Sequence, residues 1–342
     1  MRSTFLFYIA CFLLMPLFGS AQTYELASLT TDNKTSIRGL SVVTDSIAWV
    51  SGSNGYVGKS LDGGKTWKWI QPLGHEKLDF RDIEAFDADR AIIVNAGSPA
   101  YILRTEDGGK SWKETYKNVD SAIFLDGMDF WSEKHGIVFG DPIKNQLQVL
   151  ITEDGGLTWK DASALLNIEM SVGEAAFAAS GTTIKTLPGG RVWIATGGVK
   201  SNIYVSENYG QNWKKYDCPI LKGQNSTGPF SIDFYDNRQG IVVGGDYTKD
   251  KENSNNILLT SDGGQTWKKP SNPVYGFRSC VIYYDEKNCF ATGTSGTDIS
   301  KDGGRNWYNI SDESFNVIKR AKSGRLVLAA GNKGIIYSLT MK

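Results

Sequence analysis

Ser60-Leu61-Asp62-Gly63-Gly64-Lys65-Thr66-Trp67 is an eight-residue segment that the chain repeats five more times, at 105–112, 152–159, 206–213, 260–267 and 300–307. The shared pattern is Ser/Thr-x-Asp-x-Gly-x-Thr/Ser/Asn-Trp, with Asn208 in place of Asp in the fourth copy. The third and eighth positions are Asp62 and Trp67, Asp107 and Trp112, Asp154 and Trp159, Asn208 and Trp213, Asp262 and Trp267, Asp302 and Trp307. Successive tryptophans are 45, 47, 54, 54 and 40 residues apart, the size of one propeller blade. The chemistry of the octapeptide is that of a tight turn. Asp accepts backbone N–H bonds from just ahead of it, as in an Asx-turn, and Gly takes positive φ without a Cβ clash. The Trp returns as a large apolar plug with one polar edge, suited to a seam between sheets.

Outward from each box the pattern is that of strands. A short β-rich run precedes it, such as Tyr101-Ile102-Leu103 or Asn256-Ile257-Leu258-Leu259, and further upstream an apolar run ends in Gly, as in Ile137-Val138-Phe139-Gly140 and Ile241-Val242-Val243-Gly244. Each unit therefore reads strand, turn, strand, Gly-rich loop, strand, box, strand, which predicts a four-stranded antiparallel blade. Six units carry boxes. A seventh, from Phe315 to Tyr337, supplies three strands, and Tyr24-Glu25-Leu26-Ala27-Ser28 is placed to add the fourth and close the ring. The expected fold is an all-β, seven-bladed propeller forming one domain over 22–342.

Composition agrees and excludes much. The 342 residues are 40% apolar, 12% aromatic and 22% charged, with 38 Gly, 10 Trp and only 9 Pro, which suits many short strands and tight turns. Lys+Arg and Asp+Glu are both 37, so no uniformly basic surface is available to nucleic acid. Two histidines, His75 and His135, leave little scope for histidine-based metal chemistry. His75 reads as a surface residue. Neither a metal nor a cofactor is expected.

The start of the chain reads as an export leader. Arg2 precedes an apolar run from Phe5 to Phe18, and Gly19-Ser20-Ala21 offers a small-residue cleavage site before Gln22. Tyr8-Ile9-Ala10-Cys11 imitates a lipoprotein box, but the apolar run before Cys11 is very short and continues through Phe12-Leu13-Leu14. The expectation is a signal peptide over 1–21 and a periplasmic or secreted monomer with no membrane span. Cys218, Cys280 and Cys289 then remain, an odd number without a disulfide framework. Cys280 and Cys289 flank a hairpin turn and read either as a bonded pair or as buried thiols.

The octapeptides resemble the Asp-box (BNR) repeats of sialidases, sortilin-type receptors and related propellers. The whole layout is similar to the photosystem II stability/assembly factor family of exported propellers, whose relatives extend beyond photosynthesis. Met128-Asp129-Phe130-Trp131 and Gly173-Glu174-Ala175-Ala176-Phe177-Ala178-Ala179-Ser180-Gly181-Thr182 fit its non-photosynthetic branch. In such families the boxes lie on outer hairpins away from the sites, so the resemblance implies a structural role for all six.

Function is expected where the innermost strands begin, at the mouth of the central channel. Ile37-Arg38-Gly39-Leu40, Phe80-Arg81-Asp82-Ile83 and Phe277-Arg278-Ser279-Cys280 align, with Leu125 and Pro229 in the same register of blades three and five. Arg38, Arg81 and Arg278 are thus expected around one rim, suited to a carboxylate or phosphate. Neutralisation by Asp82, Glu84, Asp126 or Glu174 is the structural alternative. The loops between second and third strands add Asn54, Asn95, Asp141, Asp246 and Asn332, and 246–255 reads as a polar flap. The leading expectation is a non-catalytic binding or assembly protein holding a protein, anionic or glycan ligand at this mouth. The competing one is a glycoside hydrolase at the same place. Three arginines favour a sialidase. The missing Arg-Ile-Pro motif, for which Arg38-Gly39-Leu40 is the nearest stretch, and the seven blades oppose it.

Overall fold

The computed structural model describes residues 24–29 and 31–341. The leader expected over 1–21, and Cys11 within it, lie outside these residues. Seven antiparallel sheets follow one another along the chain. Blade one is Ile37–Val42, Ala48–Gly52, Val57–Ser60 and Lys68–Ile70, and blade two Phe80–Ala85, Ala91–Asn95, Ala100–Thr105 and Lys113–Asn118. Blade three is Leu125–Phe130, Gly136–Ile143, Gln146–Thr152 and Lys160–Asp161. Blade six is Cys280–Tyr283, Cys289–Gly293, Gly296–Ser300 and Trp307–Ser311. Blade seven joins Val317–Arg320, Val327–Ala330 and Ile336–Met341 to Tyr24–Leu29, which pairs from Tyr24↔Met341 to Leu29↔Ile336. Strands from both ends of the described chain thus close the ring in one sheet, and Tyr24–Leu29 covers the edge that Ile336–Met341 would otherwise present. No helix among the described residues is long and apolar enough to cross a membrane.

Two blades depart from the regular pattern. Blade five has Thr227–Phe234, Gly240–Asp246 and Ile257–Thr260, and its outer strand shrinks to a single Leu259↔Lys268 bridge. Pro270 and Pro273 lack the N–H groups that a longer ladder needs. In blade four the innermost strand is broken. Glu174–Ala175 pairs with Gly198 and Gly197, while Ile184–Leu187 pairs with Ile194 to Arg191. Residues 176–183 leave the ladder between them.

The boxes close the hairpins between third and fourth strands by local bonds. In the first, Gly64 N–H donates to Ser60 Oγ (2.8 Å), Thr66 N–H to Asp62 Oδ1 (2.9 Å) and Thr66 Oγ1 to Asp62 Oδ2 (2.6 Å). These bonds to Thr66 pull the Asp62 carboxyl down to about 2. The same lattice recurs at Asp107, Asp154, Asp262 and Asp302, and Asn208 reproduces its backbone half through Asn212 N–H (3.0 Å). Trp67, Trp213, Trp267 and Trp307 donate Nε1–H to the Gly carbonyl of their own box. Trp159 reaches Thr115 Oγ1 instead (3.3 Å), and Trp112 packs edge-on against Trp49. The second box glycines face the preceding blade: a Cβ on Gly109 would stand 2.2 Å from Ile70 Cδ1, and one on Gly156 2.4 Å from Ile92 Cδ1. The apolar core lies in these seams between neighbouring blades.

Cys218, Cys280 and Cys289 are buried free thiols. Pairing sets Cys280 opposite Thr292 and Cys289 opposite Tyr283, so the ladder holds the two sulfurs apart. His75 is tucked in rather than at the surface, edge-on to Tyr101 (4.9 Å) with Nε2 3.3 Å from Glu114.

Candidate functional site at the channel mouth

One structural device sets the rim. In blades one, two, three and five the inner strand is bulged near its start, between Ile37 and Gly39, Phe80 and Asp82, Leu125 and Gly127, and Pro229 and Ser231. A bulge leaves the extra residue out of the ladder and re-aims its side chain. The re-aimed residues are Arg38, Arg81, Asp126 and Phe230. The glycine ending the second strand gives the register in the other blades. A Cβ on it would meet the carbonyl of Phe124 (Gly140), Gly228 (Gly244), Phe277 (Gly293) or Ser314 (Gly331), the residue before the one it faces. Blades six and seven therefore present Ser279 and Asn316. All six residues line one pocket of about 460 Å³ to which every blade contributes, which places it on the ring axis.

This corrects the expected register by one residue. Leu125 and Pro229 are buried rungs, and Asp126 and Phe230 are the partners of the arginines. Arg278 sits at a rung position, not at a bulge, and so turns into its own blade. It is 0% exposed, with Nε and Nη2 on Asp298 Oδ2 (2.8 and 2.7 Å) and Nη1 on Ser295 Oγ (2.6 Å) and Phe277 O (2.9 Å). The rim carries two arginines, not three.

Three expected acids also lie elsewhere. Glu174 is buried inside blade four, accepting from Thr196 Oγ1 (2.5 Å), Tyr204 OH (2.9 Å) and Ser171 N–H (3.0 Å). Asp82 is sealed below the pocket, accepting from Ile83 N–H (2.8 Å) and from Met128 N–H of the next blade (2.7 Å). Burial raises its carboxyl to about 8, against the opposing pull of Lys319 and these N–H groups. Asp246 is spent on Thr248 N–H and Oγ1. Of the loop residues, Asp141 and Asn332 line the pocket, whereas Asn95 caps its own loop through Tyr101 N–H. The expected flap is tied down by Phe277 N–H on Asp250 O and Leu221 N–H on Asn255 O, and contributes Tyr247 to the pocket wall.

The floor is the segment that leaves blade four. Arg38 Nη1 donates to Ala179 O (3.0 Å) and Arg81 Nη1 to Ala178 O (3.4 Å). Ser180 Oγ donates to Ser279 O of blade six (2.7 Å), Thr182 Oγ1 to Ser231 Oγ of blade five (2.7 Å), and Ile232 N–H to Thr182 O (2.8 Å). Gly181 lies on Asp82, where a Cβ would come within 2.3 Å of Cγ. Residues 178–182 thus bond to blades one, two, five and six and plug the channel. Beyond the plug a second cavity of about 520 Å³ opens at the far mouth, among Glu84, Asp129, Lys185, Lys319 and Lys322. There Lys185 pairs with Asp233 (2.9 Å) and Lys322 with Glu84. Asp129 and Asp233 also staple adjacent inner strands, each accepting from its own next N–H and from one in the following blade. The Asp-Phe pairs 129–130 and 233–234 were the visible signal for these residues.

The mouth is electrostatically divided. Arg81 Nε is paired with Asp79 (2.7 Å), both half-exposed. Arg38 makes no ion pair among the described residues, and burial, together with the like charge of Arg81, lowers its guanidinium below the usual value. Burial, then the neighbouring Asp141 charge, pushes Asp126 well above the carboxylate range, opposed by Arg81. Burial also raises Asp141, eased by the Ala176 N–H on Oδ1 (2.9 Å). The remaining wall is aromatic. Phe177 stacks on Phe230 (4.0 Å), which meets Phe277 edge-on (4.7 Å) and Tyr247 at 6.0 Å.

Box lattice, ring closure and mouth together define an Asp-box seven-bladed propeller with a plugged axial channel. Residues 19–120 match the family described as photosynthesis system II assembly factor YCF48, and the resemblance read from the sequence is to that family. A structure titled "YCF48 bound to D1 peptide" superimposes with a TM-score of 0.65 at 18% identity, covering 92% of this chain and 94% of the other. YCF48 from Cyanidioschyzon merolae gives 0.66 at 16% identity, covering 92% and 98%. The GH74 xyloglucanase from Xanthomonas campestris gives 0.59 at 14% identity, covering 92% of this chain and 53% of the enzyme. At these identities the likeness to solved structures is one of fold. A search of curated proteins by sequence returns no match.

Proposed function

We propose that this protein is an exported, non-catalytic propeller of the assembly-factor kind, which holds a partner protein by an anionic, apolar-flanked segment at the Arg38–Arg81 mouth. The observation that carries the reading is Arg38: a guanidinium drawn out of water, beside a second one, with no ion-paired carboxylate among the described residues. A ligand carboxylate supplies the missing partner in bidentate geometry, and Phe177, Phe230 and Tyr247 receive the apolar neighbour. The match of residues 19–120 and the peptide-bound YCF48 structure support a protein partner. Export follows from the leader reading of residues 1–21, with the mature chain starting at Gln22 and acting as a monomer.

A glycan hydrolase at the same mouth is the competing reading. It needs a proton-bearing acid that substrate can reach. The candidates for it among the described residues are Asp126 and Asp141 on the pocket wall.

Binding separates the two. Short peptides with a free terminal carboxylate should bind the mature protein, and their amides should bind at least about tenfold more weakly. Arg38→Ala should abolish the difference with little change in Tm. Equal binding of acid and amide, or robust turnover of sialosides or xyloglucan, would overturn the proposal. N-terminal sequencing of the exported protein checks cleavage after Ala21.

A further inference from the structure

Asp126 is the rim residue that the binding reading leaves unexplained. It holds blade three's place in the same ring as Arg38 and Arg81, is 2% exposed, and neither carboxyl oxygen has a hydrogen-bond partner. Such groups are few in native proteins, because each gives up the hydrogen bonds that water would make to it. Two groups favour its charged form without bonding it: Arg81, whose Nε is on Asp79 and Nη1 on Ala178 O, and the Asp141 N–H, which is bonded to Phe124 O. Asp141, which shares the pocket wall, is a second acid with one oxygen already on Ala176 N–H. The pocket thus has two poles within about 460 Å³: guanidiniums from blades one and two, carboxyls from blade three, and an aromatic wall made by Phe177, Phe230 and Tyr247.

We propose that the mouth is selective for a peptide segment carrying both a carboxylate and a side-chain ammonium or guanidinium, the carboxylate held by Arg38 and Arg81 and the cation received by Asp126 together with Asp141. This rests on the reading of the mouth as a partner site and narrows its ligand. An anion alone satisfies Arg38 but leaves Asp126 unpaired. A cation set against Asp126 gives the buried carboxyl the charge-assisted bond it lacks. Burial disfavours the charged form of Asp126 and a cation beside it favours that form, so any proton the carboxyl carries leaves to solvent on binding. A zwitterionic segment therefore gains at both poles, and a purely acidic one gains at one.

The test uses acetyl-Gly-Gly-Phe-Lys and acetyl-Gly-Gly-Phe-norleucine, both with free terminal carboxylates. They are titrated by NMR into the mature wild-type protein and its variants, a method that reads millimolar binding. Wild type should prefer the lysine peptide by about tenfold. Asp126→Asn should bind both peptides alike, at the strength of the norleucine peptide on wild type, and Arg81→Ala should weaken both. Should Asp126→Asn fail to fold, Asp141→Asn must reduce the preference in its place. Equal binding of the two peptides by wild type overturns this inference while leaving the anionic site standing. So does a preference that survives Asp126→Asn, which would make Asp126 a structural group only. If neither peptide binds, the mouth reading itself fails, and this inference with it.

Discussion

Replacing Arg278 by Ala separates structural from functional arginines in this ring. Its guanidinium has no exposed surface and makes two contacts to Asp298 Oδ2, at 2.7 and 2.8 Å, with Asp298 itself fully buried. Truncation leaves that carboxylate inside the blade with only the Tyr275 N–H (2.9 Å) as a strong donor. It also strips Ser295 Oγ and Phe277 O of their guanidinium partner. Breaking a buried pair on one side costs about 3–5 kcal/mol. For a chain of this size that is a fall in Tm of about 4–8 °C. Differential scanning calorimetry of wild type, Arg278→Ala and Arg81→Ala reads it directly. Arg81 is half-exposed and its pair with Asp79 is a surface one, worth about 0–1 kcal/mol, so its Tm should barely move. The double replacement Arg278→Met with Asp298→Leu should recover much of the loss, since it leaves no stranded charge. An Arg278→Ala protein with wild-type Tm and lost peptide binding would refute this reasoning and return Arg278 to the rim.

Asp154→Ala should cost about 1 kcal/mol by urea unfolding, the low end for lost hydrogen bonds because the freed Thr158 donors face water; unchanged peptide affinity is expected, and a selective loss of binding would make the boxes functional. Deleting residues 24–29 removes the partner strand of Ile336–Met341 together with the packing of Tyr24, Leu26 and Leu29; a loss of about 3–5 kcal/mol and oligomers on size exclusion are expected from the opened edge. The last concerns pH. The Asp82 carboxyl titrates near 8 in the fold and near 3.8 when unfolded, so between those values the folded state keeps a proton that the unfolded chain has released. Stability from this group therefore falls as pH rises from about 4 to about 8 and is level above; Asp82→Asn should flatten that slope in a series of melting curves, and an unchanged slope would place the titration elsewhere.

The resemblance and the blades were legible because box chemistry is local. Ser60, Asp62, Gly64, Thr66 and Trp67 bond to one another inside eight residues, so identical residues at identical spacing announce an identical hairpin. Six such announcements a blade apart, and a Tyr24–Ser28 run with nothing else to pair with, were enough for the ring and its closure. Arg38, Arg81 and Asp141 were legible at the mouth for a similar reason: they sit at recurring places on recurring strands.

The rest was decided by the tertiary structure. A β-bulge adds one residue and exchanges the faces of every side chain beyond it, and the sequence carries no mark of where the ladder slips. Phe230 was therefore hidden one place along from Pro229, Asp126 was expected beside the rim but not in the register of the arginines, and Arg278, which matches Arg38 in sequence, fell on the buried face with Asp298. Glu174 and Asp82 have partners between 1 and 46 positions away in the chain, and their burial depends on what the ring brings over them. The plug is the extreme case. Residues 178–182 belong to a stretch that the sequence marks only by its resemblance to the family, and their role exists only because closure of seven blades brings Arg38, Arg81, Ser231 and Ser279 around them at hydrogen-bond distance. The sequence by itself determined the repeat and hence the ring. Which side chains face the axis, and whether the axis is open, were fixed by long-range packing that no local pattern encodes.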